Sequence, residues 1–140
     1  MRLRGRPVVG GHAVGEALVS PEPVSFYGGV DPESGVVVEP GHPCEGLRVS
    51  GKVFVFPQGK GSTVGSYVLY RMGKLGTAPL AILNRETEAI IATGCVMAGI
   101  PLVDRLEPDP LESIRSGWRV EVQGSQGLVL VQPRSSDASR

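Results

Sequence analysis

Ser62 is the side chain of this sequence best placed to do chemistry, because it lies in a glycine loop before a helix pattern. The loop belongs to residues 52–70, KVFVFPQGKGSTVGSYVLY, in which an apolar run precedes small and polar residues and then apolar residues at helical spacing. Such a junction presents backbone N–H groups and hydroxyls to a ligand. A serine there can act as an alkoxide base, because the helix dipole and nearby amides favour negative charge. Alternatively Ser62 only caps the helix, and the residues alone leave both interpretations open.

Two nucleotide-binding motifs resemble this loop, and both are incomplete. A phosphate loop of the Walker A type needs a glycine five residues before its Gly59-Lys60 pair, and that position is Phe54. The dinucleotide fingerprint needs a third glycine after Gly59 and Gly61, at the position that Val64 occupies. We therefore expect no nucleotide site.

Other catalytic residue types do not complete a site around Ser62. Neither His12 nor His42 is near it in the sequence, so no Ser-His pair is indicated. Cys44 and Cys95 form no CxxC pair, and no histidine stands at zinc-ligand spacing. We expect no metal in this chain, a structural or solvated His12, and cysteines that are core or loop thiols in a reduced cytoplasm. A catalytic Ser62 then needs groups from elsewhere in the fold or from another chain.

The charge balance disfavours nucleic acid and membranes as partners. Fourteen Lys and Arg residues match fourteen Asp and Glu residues, for a formal net charge of 0. Arg2, Arg4 and Arg6 make the first residues basic, but no long apolar segment follows them. We expect no signal peptide and no membrane span.

Glycine and proline separate many short apolar runs, which predicts a strand-rich domain with tight turns. The run at 53–56 is continuously apolar, as in a strand that is buried on both faces. Strands are predicted at residues 7–9, 17–19, 24–27, 35–39, 47–49, 53–56, 78–83, 100–103, 118–123 and 128–131, the last two as a hairpin.

Two main helices are predicted after the loop. The first begins at Ser62 or Thr63, and its predicted apolar face is formed by Val64, Val68, Met72 and Leu75. The second covers 86–98 and stops at Gly99, and its predicted inward residues are Ile90, Ile91, Cys95 and Met97.

Two further polar pairs follow these helices. Asp104 and Arg105, at the end of the strand 100–103, are interpreted as a surface ion pair. Asp109 and Pro110 predict the start of a short helical turn.

The order of elements predicts the fold class. A β-rich first half is followed by strand, loop, helix, strand, helix, strand and hairpin, which is a mixed α/β, barrel-like or layered β/β/α domain rather than a Rossmann unit. We predict one domain over residues 1–132 and a flexible polar tail at 133–140.

Three segments resemble a known family. They are the loop segment 52–70, HPCEG at 42–46, and IATGCVMAGIP at 91–101. Together they make residues 12–131 similar to the small subunits of the aconitase X family. The resemblance implies a swivelling β/β/α domain with a barrel-like sheet and two main helices, like the mobile last domain of aconitase.

The resemblance also implies an activity, a cofactor and a partner. It implies a hydro-lyase that removes water from (R)-5-phosphomevalonate to give trans-anhydromevalonate 5-phosphate in a modified mevalonate route. A separate large subunit would hold an iron–sulfur cluster, of the [4Fe-4S] type, through its own cysteines. Ser62 would take the proton from carbon, and Lys60, Gly61 and Thr63 would bind the substrate, Lys60 through a phosphate or carboxylate.

Two alternatives stay open. The chain can belong to another aconitase X-type dehydratase that acts on hydroxyproline or another hydroxy acid. Alternatively it is a non-catalytic swivelling interaction domain, in which Gly61 and Ser62 only shape a turn.

Overall fold

Seven strands close into a barrel in the computed structural model, which describes residues 1–134. The strand order around the barrel is β1-β5-β4-β3-β2-β6-β7. The strands are β1 (Arg2–Val9), β2 (His12–Val19), β3 (Val53–Val55), β4 (Ala81–Leu83), β5 (Leu102–Glu107), β6 (Arg119–Gln123) and β7 (Leu128–Gln132). Strands β2, β3, β4 and β5 are parallel neighbours, whereas the pairs made by β1, β6 and β7 are antiparallel. The predicted mixed β/β/α barrel is confirmed.

Four α-helices of the described residues lie between strands along the chain, three of them between the parallel strands and the last between β5 and β6. They are α1 (Phe26–Gly29), α2 (Gly65–Leu75), α3 (Ala89–Ala98) and α4 (Pro110–Ser113). Helix α2 connects β3 to β4 and α3 connects β4 to β5, as the sequence predicted. Most of the predicted tail, residues 135–140, lies outside the described residues.

Two apolar cores stabilise the domain. One contains side chains from all seven strands and therefore fills the barrel, with Val53 and Val55 of β3 among them. The other lies between the barrel and the helices, and contains Phe54 and Phe56 of the same run together with Leu69 and Ile91. Successive residues of a strand point to opposite faces, so a strand between two cores must be apolar throughout. This confirms the predicted strand buried on both faces.

The predicted strands at 24–27, 35–39 and 47–49 are wrong. Residues 26–29 form the short turn α1, and the remaining pairing in this region is limited to single bridges, Val24 with Gly59, Val30 with Val37, and Val36 with Arg48. Glycines with positive φ interrupt the segment at 28, 35, 41, 46 and 51, so the backbone reverses too often for a ladder to extend. The segment still packs on the barrel, because Phe26 contacts Phe54 and Phe56 with ring centroids 6.4 and 6.3 Å apart.

The apolar face predicted for α2 is only partly right. Met72 is buried and Val68 packs against the core, but Val64 and Leu75 are 44% and 50% exposed, and Leu69 takes the central place. In α3, Ile91 and Cys95 are buried as predicted, whereas Ile90 and Met97 are only half-buried. Both helices end at glycines with left-handed φ, α3 at the predicted Gly99 and α2 at Gly76, for which no prediction was made.

Candidate active site

The loop at 57–64 follows the carboxyl end of β3 and is held from two sides. On one side, Val24 pairs with it, since the Lys60 N–H donates to the Val24 carbonyl at 3.0 Å and the Val24 N–H to that of Gln58 at 3.2 Å. On the other side the start of α3 packs directly on Gly59, where a Cβ would lie 2.6 Å from Ile91 Cγ1. The loop is therefore fixed by backbone contacts and close packing.

Gly61 makes the turn that presents Ser62. Its φ is +86°, a left-handed value that favours glycine, and a Cβ there would lie 2.6 Å from the Ser25 hydroxyl oxygen. Any larger residue would push the loop away from the segment 24–27. The structure thus gives Gly61 a positioning function, and leaves its predicted substrate contact a prediction.

Ser62 is exposed at the tip of this turn. Its Oγ accepts a hydrogen bond from the Val64 N–H at 3.1 Å, and its carbonyl accepts from the Gly65 N–H at 2.9 Å. The hydroxyl therefore caps the turn before α2, while the helix itself begins at Gly65 without a side-chain cap. An N–H that donates to the serine oxygen also stabilises its negatively charged form.

Backbone donors surround Ser62. Within residues 1–134, the N–H groups of Gly61, Ser62 and Thr63 donate to no protein acceptor. Consecutive free N–H groups on a turn are donors for an anionic group such as a phosphate or carboxylate. The loop can thus supply both a basic oxygen and donors for an anion.

Lys60 is held by a carboxylate that sequence analysis missed. Its Nζ lies 2.9 Å from Glu39 Oε2, and the lysine side chain is 45% exposed. The cation therefore stands two residues from Ser62, with one of its three N–H donors used by Glu39 and its side chain still partly open to solvent. Glu39 lies on the irregular segment after α1, and no pattern in the sequence indicates that it reaches this loop.

Thr63 opens onto a groove between α2 and α3. The groove has a volume of about 240 Å³ and is lined by Thr63, Ser66, Tyr67, Ala89, Ile90, Thr93 and Met97. Its walls are mainly apolar, although four of the lining residues, Thr63, Ser66, Tyr67 and Thr93, carry a hydroxyl. The three residues predicted to surround Ser62 thus have different environments, since Lys60 binds Glu39, Gly61 shapes the turn, and Thr63 borders the groove.

No histidine activates Ser62 within the described part of the chain. His12 is bonded to Glu121 at 2.8 Å, and the expected structural role for it is consistent with this exposed pair. His42 is buried, where its Nδ1 accepts from the Cys44 N–H at 3.0 Å and its Nε2 lies 3.1 Å from the Pro23 carbonyl. His42 therefore joins the beginning of the irregular segment between β2 and β3, at Pro23, to its turn at 42–44.

The interpretation of Asp104 and Arg105 as a surface pair is wrong. Asp104 is fully buried opposite Arg6 of β1, which donates from Nε to Oδ1 at 2.9 Å and from Nη2 to Oδ2 at 2.7 Å. Arg105 instead pairs with Glu86 at 2.7 Å. Burial raises the pKa of Asp104, but the hydrogen bonds from Arg6 and from the Thr87 N–H outweigh it and leave the pKa below its ordinary value.

The residues of this chain do not fit an iron–sulfur cluster. Cys44 and Cys95 are both buried free thiols, and burial raises the pKa of each. Among residues 1–134, no group of three or more His, Cys, Asp or Glu side chains is arranged to hold a metal ion. A cubane cluster needs three or four thiolates at one point. Within the same residues, no helix has the length and apolar character needed to span a membrane.

Comparison with known proteins agrees with this architecture. The family model of the aconitase X swivel domain matches residues 2–131. The phosphomevalonate dehydratase small subunit of Methanosarcina acetivorans is 52% identical over 97% of this chain and 95% of its own length, and that of Thermococcus onnurineus is 50% identical over 94% and 99%. The crystal structure of holo-form Thermococcus kodakaraensis aconitase X has a TM-score of 0.90 at 45% identity, over 94% of this chain and 98% of that chain.

Proposed function

Because the chain belongs to the aconitase X swivel domain family, we propose that it is the small subunit of a phosphomevalonate dehydratase. This hydro-lyase removes water from (R)-5-phosphomevalonate and yields trans-anhydromevalonate 5-phosphate in a modified mevalonate pathway. Relatives that carry the name of this small subunit are about half identical to the chain over nearly all of its length. The observation in the structure that supports a catalytic function is Ser62, exposed on a rigid turn with an N–H donating to its oxygen.

Ser62 is the proton acceptor in this proposal. Its alkoxide takes a proton from the carbon next to the one that bears the hydroxyl. The C–H electron pair becomes the new double bond, and the hydroxyl leaves as hydroxide. The hydroxide then takes the proton from Ser62 Oγ and departs as water, which restores the alkoxide. The Val64 N–H, 3.1 Å from Oγ, lowers the energy of the alkoxide that starts the step.

The neighbouring groups bind the anionic ends of the substrate. Lys60 supplies a cation, and Gly61 and Thr63 supply N–H groups that have no acceptor in residues 1–134. The ammonium of Lys60 has three donors and uses one on Glu39, so it can also bind a phosphate or carboxylate that approaches this loop.

A large subunit completes the site. Its own cysteines would hold the [4Fe-4S] cluster, which would supply a Lewis acid there, because Cys44 and Cys95 are the only cysteines of this chain and do not fit such a cluster. The names of the relatives, which specify a small subunit, support such a partner. We place the complex in the cytoplasm, where free thiols such as Cys44 and Cys95 are kept reduced.

Substitution of Ser62 tests the proposal. In the complex with the large subunit, purified without oxygen, Ser62→Ala is expected to lower turnover of 5-phosphomevalonate by about 10²-fold or more, as for loss of a general base. Ser125→Ala, an exposed serine between β6 and β7 at the opposite end of the barrel, is the control and should keep full activity. Turnover of Ser62→Ala within a few-fold of wild type, with the subunits still associated, would refute Ser62 as the base.

The substrate is tested separately. The same wild-type complex is offered 5-phosphomevalonate, hydroxyproline and other hydroxy acids, and water loss is measured for each. Product from hydroxyproline alone would assign the chain to the other dehydratase of the family, and product from none of them would leave it as an interaction domain.

A further inference from the structure

No residue of α3 or of the first turn of α2 is charged, and within residues 1–134 charges stand only at the edges of the surface that they form, where Lys74 borders Met97 and Glu88 caps α3. All ten residues of α3, AIIATGCVMA, are uncharged, and the first charge in α2 is Arg71 in its second turn. A helix on the surface of a globular protein normally turns charged and polar residues to water. We call this surface the uncharged face, formed by the exposed or half-exposed side chains of Thr63, Val64, Tyr67, Thr93, Val96 and Met97.

Large apolar side chains protrude from the uncharged face. Tyr67 is 66% exposed, Val96 67% and Val64 44%. Between Tyr67 and α3 runs the groove of about 240 Å³, which has room for a side chain from another molecule. Grouped exposed apolar residues on a soluble domain are typical of a surface that another protein covers.

The two helices under this face form a rigid platform. Gly94 of α3 lies against Leu69, where a Cβ would be 2.6 Å from Cδ1, and Gly73 of α2 lies against Ala98. Ser66 of α2 donates to the Ile90 carbonyl at 2.8 Å. A surface that is already ordered loses little conformational entropy when a partner binds.

The uncharged face continues directly into the Ser62 loop. Thr63 lines the groove and follows Ser62, and Val64 both belongs to the face and donates its N–H to the serine oxygen. Whatever covers the face therefore also encloses Ser62. An alkoxide base needs such an enclosure, because water would solvate it and weaken every electrostatic contact in the site.

We propose that the uncharged face is the docking surface for the large subunit, which presents to it an apolar surface without charges and inserts an apolar side chain into the groove. This inference rests on the proposed function. A second copy of the chain is a poorer occupant, because a contact through the groove would bring two Ser62 loops together and close both to a substrate.

Charged substitutions on the uncharged face test this assignment. Val96→Asp and Thr93→Glu, both at exposed positions, are each co-expressed with the large subunit. We expect association, measured by calorimetry and co-elution, to weaken by about 100-fold, since burying an unpaired charge at an interface is costly. Leu75→Asp, 50% exposed in the last turn of α2 and outside the face, is the matched control and should associate within a few-fold of wild type. Circular dichroism melting of each isolated variant separates lost binding from lost folding.

The outcomes distinguish the docking surface from the proposed function. If wild type forms an active complex and both charged variants bind as tightly, the docking surface is wrong and the proposed function stands. If Leu75→Asp is the variant that dissociates, the partner covers the other end of α2 and the assignment is overturned. If the charged variants only abolish self-association of the small subunit, a second copy is the occupant. If the wild-type chain binds no large subunit, the proposed function fails, and with it this surface.

Discussion

Two regions border the Ser62 loop, and they differ in almost every physical respect. The ionic cluster, formed by Arg6, Arg85, Glu86, Asp104, Arg105 and Asp109, lies where β4 and β5 end. Each of its members has a partner of opposite charge within 3 Å. The uncharged face on the opposite side of the loop has no charge at all, yet it exposes tyrosine and valine. The charges of the ionic cluster are satisfied within the chain, whereas the uncharged face leaves apolar side chains in water, and this difference supports the proposed docking surface.

The two regions meet in the segment 84–88. The Arg85 N–H donates to the Pro57 carbonyl at 3.0 Å, and the Thr87 N–H donates to the buried Asp104 carboxylate at 2.8 Å. Glu88 then caps α3 by accepting from the N–H groups of Ile90 and Ile91. The ionic cluster therefore fixes the point from which the uncharged helix begins, next to Gly59.

The largest change in stability is expected from Asp104→Asn in the ionic cluster. The amide NH₂ would face the donors of Arg6 or Thr87, and one buried donor would be left without an acceptor, at a cost of about 2 kcal/mol. Urea unfolding measures the loss. Unchanged stability would mean that the buried carboxylate is not what holds the segment 84–88.

The same carboxylate gives the stability a defined pH dependence. Its pKa in the folded protein is lowered, so the stability that it contributes is fully present above the ordinary carboxyl pKa of 3.8, and is lost as the pH falls through the lower folded value. The free energy of unfolding of wild type should therefore fall more steeply with decreasing pH below about pH 4. Asp104→Asn should not show this steeper fall.

The sequence predicted the second half of the fold because its signals are local. Continuous apolar runs for β3 and β4, helical spacing, and stop signals at Gly99 are all properties of neighbouring residues. The ionic cluster was missed because Arg6 and Asp104 are 98 positions apart and meet only through the pairing of β1 with β5. The alternation of Arg2, Arg4 and Arg6 with less polar residues gave no prediction of its own, although it marks the exposed face of β1.

The local geometry of the Ser62 loop could be predicted from the sequence, whereas its contacts with distant residues could not. The position of Ser62 before α2 follows from the local pattern, and so does the need for glycine at 61. The contact of Glu39 with Lys60 depends on the path of the segment between β2 and β3. Its frequent glycine and proline residues give no helix or strand pattern from which that path could be predicted. The exposure of Val64 could have been suspected only from its place before the first turn of α2.

A smaller loss is expected from Gly94→Ala, which tests how the uncharged face is held. Alanine favours a helix, but its Cβ would lie 2.6 Å from Leu69 Cδ1 and 3.0 Å from Leu69 Cβ. Overpacking of this kind costs about 1–2 kcal/mol. Thr93→Ala, exposed one residue earlier, is the control for helix propensity in the same unfolding assay. A Gly94→Ala variant as stable as Thr93→Ala would show that the two helices can separate without loss.

The smallest effect is expected from Arg105→Gln, at the outer edge of the ionic cluster. Arg105 and Glu86 are each 56% exposed, so water and salt screen their attraction. We expect no measurable shift of the urea midpoint at 0.15 M salt and a small one at low salt. A loss as large as that of Asp104→Asn would mean that the cluster acts as one unit.

The closure of the barrel also determines how the chain can fold. Strand β1 pairs with β7, and β2 pairs with β6, so neighbours in the barrel are separated by about a hundred positions along the chain. Pairings between such distant segments form slowly, because closing the long intervening loop costs entropy before any stabilising contact has formed. Until residues 119–132 have been synthesised, β1 and β2 remain open edges that can pair with other chains. Newly made chains are therefore most prone to aggregate during the interval before their final hairpin arrives.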